Sequence, residues 1–76
     1  MDDPEAAQER AELLSGMFAL ITVKLEDAAT IAVDCQGRVP PEDLLEHGQK
    51  LRELITETST VLDAALALIA AAQIRT

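Results

Sequence analysis

The side chains able to do chemistry in this chain are few and poorly grouped for it. His47 follows Glu46, but no nucleophile stands in evident reach of its imidazole, and it reads as a boundary residue hydrogen-bonded to solvent or a carboxylate. Cys35 is the only cysteine and lies twelve positions from the only histidine. One thiol cannot form a disulfide within the chain, and one cysteine with one histidine do not make a structural zinc site. Carboxylates gather at Asp2-Asp3-Glu5 and Glu42-Asp43-Glu46, without the Glu-x-x-His spacing of di-iron bundles. Glycine-rich phosphate loops are missing too. The run Thr56-Glu57-Thr58-Ser59-Thr60 carries hydroxyls that could be phosphorylated. In mid-helix it reads instead as a polar notch, with Thr58 fixing register through a backbone carbonyl or a symmetry mate. No catalytic, cofactor-binding or metal-ligating residue is expected, and the chain is not expected to be an enzyme.

What remains is a scaffold. Seventy-six residues make one domain at most, and chains this short bury only roughly 60% of their unfolded surface. With neither disulfide nor metal at hand, oligomerisation is the route left to a sufficient core. Hydrophobic residues are 49% of the chain, which argues against disorder. Alanine and leucine dominate, and Phe18 is the only aromatic. That alphabet forms helices and carries little strand signal.

The net charge of −8 opposes binding to a phosphate backbone, and the six basic residues are scattered at positions 10, 24, 38, 50, 52 and 75. Nucleic acid is therefore not an expected partner, whereas a basic protein partner stays open. The acidic N-terminus lacks the basic-then-apolar layout of a signal peptide. The most apolar run, residues 64–72, is nine residues, short of the roughly 20 that span a bilayer. A cytoplasmic protein without a membrane partner is expected.

Punctuation falls where a hairpin needs it. Asp3-Pro4-Glu5 reads as N-cap, first helical position and acidic first turn. Gly37 is positioned to supply a left-handed helix end, Pro40 and Pro41 prevent continuation, and Pro41-Glu42-Asp43 repeats the start signal. The expectation is an all-α antiparallel hairpin, a single domain over 1–76, with helices over about 4–36 and 41–74 and a turn at 37–41.

Steps of four and three mark a seam through Ala7, Ala11, Leu14, Phe18, Ile21, Leu25, Ala28, Ala32 and Cys35 in the first helix. In the second helix the same steps run through Leu44, Gly48, Leu51, Ile55, Thr58, Leu62, Ala65, Ile69 and Ala72. Such a repeat gives coiled-coil-like packing. Met17, Ile31, Leu54, Val61 and Leu68 widen the seam at its sides, and stripes this broad suit a four-helix bundle of two hairpins. Leu14, Phe18, Ile21, Leu25, Leu51, Ile55, Leu62 and Ile69 are the expected oligomer seam. Facing residues should sum to roughly 78, which brings Ile21 near Thr58, Ala28 near Leu51 and Lys24 near Glu53 and Glu57. Leu13, Leu20 and Val23, with Gly16 among them, form a second apolar face on the N-terminal half of the first helix. That face is expected either to be buried where two hairpins cross in the dimer or to serve as a candidate partner surface, since contiguous apolar patches mark interaction sites.

The layout resembles the Rop-type helical hairpin, in which two hairpins form an RNA-binding four-helix bundle. The resemblance is architectural and implies a dimer of hairpins; the acidic balance opposes its nucleic-acid role. The segment Gly37-Arg38-Val39-Pro40-Pro41-Glu42-Asp43-Leu44-Leu45 is similar to the turn in the small subunits of exonuclease VII, also short helical hairpins. Neither resemblance implies site residues. The functional expectation is a non-catalytic interaction module, self-associating as a homodimer or a higher oligomer and acting as an adaptor, regulator or assembly factor. The alternative is a small accessory subunit, or an acidic antitoxin-like inhibitor, of a larger basic protein.

Overall fold

A computed structural model describes residues 3–74; Met1, Asp2, Arg75 and Thr76 lie outside it, including the first residue of the Asp2-Asp3-Glu5 cluster. Two helices, α1 (Pro4–Asp34) and α2 (Pro41–Ile74), pack against each other as a hairpin. The starts follow from the sequence. The Asp3 carboxylate accepts from the Glu5 backbone N–H at 3.2 Å, and Pro4 occupies the first turn, where its missing N–H leaves no bond unmade. In α2 the Pro40 carbonyl accepts from the backbone N–H groups of both Asp43 and Leu44, at 3.0 Å each. Glu42 and Asp43 lie in that first turn, against the positive end of the helix dipole.

The end of α1 differs from expectation. The helix stops at Asp34, two residues before position 36, and Gly37 does not take a left-handed conformation; among the described residues no glycine has positive φ. Instead Cys35 stays right-handed at φ −72°, ψ −10°. The turn then tightens through N–H donation from Gln36 to the Val33 carbonyl and from Gly37 to the Asp34 carbonyl. Bonds of this three-residue reach satisfy terminal carbonyls without a left-handed residue. Pro40 and Pro41 then bar any return to helix before α2 begins.

The hairpin is long and thin. Its Cα extents are 58 × 16 × 12 Å and its radius of gyration is 17.3 Å, against about 11 Å for a compact chain of this length. Among the described residues the buried set is Ile21, Ala28, Leu54, Thr58 and Ala65. Half-buried residues complete the seam: Ala7, Arg10, Leu14, Met17, Lys24 and Ile31 from α1, Cys35 just beyond its end, and His47, Leu51, Val61, Leu68 and Ala72 from α2. The pair Lys24 Nζ–Glu57 Oε2, at 2.7 Å, joins the two helices and agrees, to within a turn, with the register that the turn position implies, Leu14 near Ala65, Ile21 near Thr58 and Ala28 near Leu51.

Within the hairpin, Met17, Ile31, Leu54, Val61 and Leu68 line the α1–α2 contact, whereas Phe18, Leu25, Ile55 and Leu62 of the expected oligomer seam lie beside it, exposed. An apolar stripe three positions wide offers two flanks to an adjacent helix. The hairpin closes over the flank that holds Arg10 and Lys24, both half-buried, and the Lys24 ammonium reaches Glu57 on that side.

Candidate interaction surface

Because the two helices run antiparallel, corresponding flanks of each fall on the same side of the hairpin. One side carries the Lys24–Glu57 ion pair near the loop half, and near the other end a groove lined by Ala6, Leu13, Leu68 and Ala71 together with the charged Glu9 and Arg10. The opposite side is made of Ala11, Phe18, Leu25 and Ala32 from α1 and of Gly48, Ile55, Leu62 and Ile69 from α2. These residues recur every seven positions, and none is charged or has a polar side chain. Phe18 is 44% exposed, Leu25 52%, Ile55 52% and Leu62 38%. Residues at its border are Gln8, Ser15, Thr22 and Ala29 in α1 and Leu45, Arg52, Ser59, Leu66 and Gln73 in α2, a single charge along the whole length. In a chain with 26% charged residues, a charge-free strip from end to end is what sustained water exclusion requires.

Of the expected oligomer seam, Leu14, Ile21 and Leu51 therefore lie inside the hairpin, whereas Phe18, Leu25, Ile55 and Leu62 are exposed beside it, with Ile69 half-buried. Leu13, Leu20 and Val23 are exposed on the other side. There the patch is continued by Ala64, Ala67 and Ala71 of α2, and it gives way toward the loop to Asp27, Lys50, Glu53 and Glu57. Sequence reasoning missed Leu45 and Leu66, both exposed. They stand seven-residue steps from Arg52 and Ser59, so the polar residues between them hid the pattern.

The reactive side chains have structural partners. The His47 ring donates through Nδ1 to the Asp43 carbonyl at 2.6 Å, one turn back along its own helix. The Thr58 hydroxyl donates to the Leu54 carbonyl at 2.6 Å, so this buried threonine settles its hydrogen bond within α2. Thr22, Thr30 and Thr60 do likewise with the carbonyls of Phe18, Glu26 and Thr56. Cys35 is a half-buried free thiol. Among the described residues no three histidine, cysteine or carboxylate groups gather where they could hold a metal ion. The Glu57 carboxyl is held below its ordinary pKa by the hydrogen bond from Lys24, then by the Lys24 charge and the more distant Lys50.

Counting only the unbroken nine-residue run of α2 places it short of a membrane span, yet an 18-residue window within Pro41–Gln73 has a mean hydropathy of 1.5. By length and composition alone α2 could cross a bilayer, a property shared by core helices of soluble bundles. No family model, curated protein or solved structure matches the chain.

Proposed function

We propose that the chain is a non-catalytic interaction module that works in solution as a homodimer, two hairpins forming a four-helix bundle. The observation that carries this reading is the charge-free strip through Phe18, Leu25, Ile55 and Leu62, which the hairpin itself leaves in water. Area supports it. The chain presents 5817 Å² of accessible surface, whereas a compact folded chain of its mass presents about 4500 Å². The excess of about 1300 Å² is of the size that one partner contributes to an obligate interface.

Lipid is a less suitable cover. Carrying α2 into a bilayer takes α1 with it, and α1 brings Glu9, Glu12, Lys24, Glu26 and Asp27. Charges at that depth are strongly disfavoured. The acidic balance likewise disfavours nucleic acid.

Sedimentation equilibrium at micromolar concentration tests the proposal. The expected result is a helical species of twice 8.2 kDa. A cooperatively folded species at the single-chain mass would sink it. The patch at Leu13, Leu20 and Val23 supports a second reading, an accessory role toward a larger protein, because it remains exposed on the side away from the proposed dimer contact.

A further inference from the structure

We infer that the second copy covers this strip with its loop at the opposite end, so that α1 lies against α1 and α2 against α2 of the two chains. The inference rests on the self-association reading and specifies its geometry. Two long hairpins packed face to face through one twofold axis have two arrangements. In one, the axis runs along the helices, both loops share an end, and α1 meets the other chain's α2. In the other, the axis crosses the helices, the loops lie at opposite ends, and like helices meet antiparallel.

Side-chain size along the strip separates the two. The register places Ala11 level with Ile69, Phe18 with Leu62, Leu25 with Ile55, and Ala32 with Gly48. The strip is thus thick in its middle and thin at the loop end. With loops together, two alanines and two glycines would share one level and leave a void, while both phenylalanines would crowd another. Interiors pack near crystal density, and voids and overpacking are each destabilising. With loops apart, the level holding Ala32 and Gly48 meets the other copy's Ala11 and Ile69, and Phe18 meets Leu25. Gly48 then faces an isoleucine while Ala32 faces an alanine, and the end levels, smaller than the middle ones, differ from them less than they do with the loops together.

Gly48 fits this arrangement, and Gly16, outside the strip, is equally open. A glycine inside a helix is about 1 kcal/mol less favourable than alanine, and nothing in its own chain lies within 4 Å of a Cβ built at Gly48. The hairpin itself gives no reason for a glycine at this position. In the loops-apart arrangement Gly48 faces the other copy's Ile69, whose branched side chain fills the open space.

Two measurements test the geometry. In a Cys35→Ser, Gln36→Cys variant, a nitroxide at position 36 reports the distance between the two loop ends. Loops apart put the labels about 40–45 Å from each other along the bundle; loops together put them roughly 15 Å apart across it. A distance under about 25 Å overturns the inference while leaving the dimer standing. Uncoupled spins with a single-chain sedimentation mass overturn the dimer itself. The second measurement exchanges size across the contact. Gly48→Leu should raise the dimer dissociation constant about ten- to a hundredfold, and adding Ile69→Ala should recover most of that loss. Absence of recovery would mean that these positions do not meet, since with loops together Gly48 faces Ala32 instead.

Discussion

The two broad sides of the hairpin hold comparable hydrophobic residues but distribute charge differently. On one side Phe18, Leu25, Ile55 and Leu62 follow one another without a charged residue at any of the eight heptad positions. On the other, Leu13, Leu20 and Val23 occupy only the half remote from the loop, and Asp27, Lys50, Glu53 and Glu57 occupy the rest. A cover that runs the full length of the hairpin can exclude water from the first side without desolvating a charge. The same cover on the second side would have to bury at least four. Burial of an unpaired charge outweighs the gain from several apolar contacts. Where the charges stop, more than how many leucines are exposed, therefore decides which side can be dry.

The largest expected effect comes from Phe18→Ala. If the charge-free side is buried in the dimer, truncation should destabilise it by about 3–5 kcal/mol, the range for large-to-small changes in a core. Denaturant titration at two protein concentrations reads this, and the midpoint should fall further at the lower concentration. A loss below about 1 kcal/mol would place Phe18 in water and erase the distinction between the sides.

A smaller effect is expected from Leu20→Glu on the opposite side. Folding free energy should stay within about 0.5 kcal/mol of the parent, as surface changes usually do, and the sedimentation mass should not change. Joint loss of fold and dimer on this variant would show that the second side is buried as well, and the bundle would then need more than two chains.

The smallest effect concerns the ion pair that borders the second side. Glu57 has its pKa lowered from 4.5 in the folded chain. Its contribution to stability is therefore fully present above the unfolded value and is lost as pH falls through the lower, folded value. Glu57→Gln should remove a small part of the loss of stability below about pH 4.5 and change little at pH 7 in high salt, because the pair is exposed. Melts at both pH values check this. An identical acid response in parent and variant would mean that Lys24 does not hold the carboxylate in solution.

Much of this architecture was legible in the chain. Asp3-Pro4 and Pro40-Pro41 announced both helix starts, and the turn position gave a register with which the Lys24–Glu57 contact agrees to within a turn. The stop of α1 was less legible, because a tightened last turn and a left-handed glycine both satisfy the same terminal carbonyls. Gly37 fits either. The width of the apolar stripe was also plain, but not its assignment. Leu14, Ile21, Ala28, Leu51, Thr58 and Ala65 sit on its midline and turn inward whichever flank closes.

Local sequence thus determined two helices, their caps, their antiparallel register and a stripe broader than one contact can cover. These are nearest-neighbour properties: hydrogen-bond caps, the absence of an N–H in proline, and a repeat that keeps one side of a helix apolar. Only the tertiary structure decided that Met17 and Leu54 close the hairpin while Phe18 and Ile55 stay outside. That choice depends on the side toward which the short connection folds α2 over α1. Periodicity within either helix is symmetric to it, because both flanks of the stripe are apolar and differ only in the charges beside them.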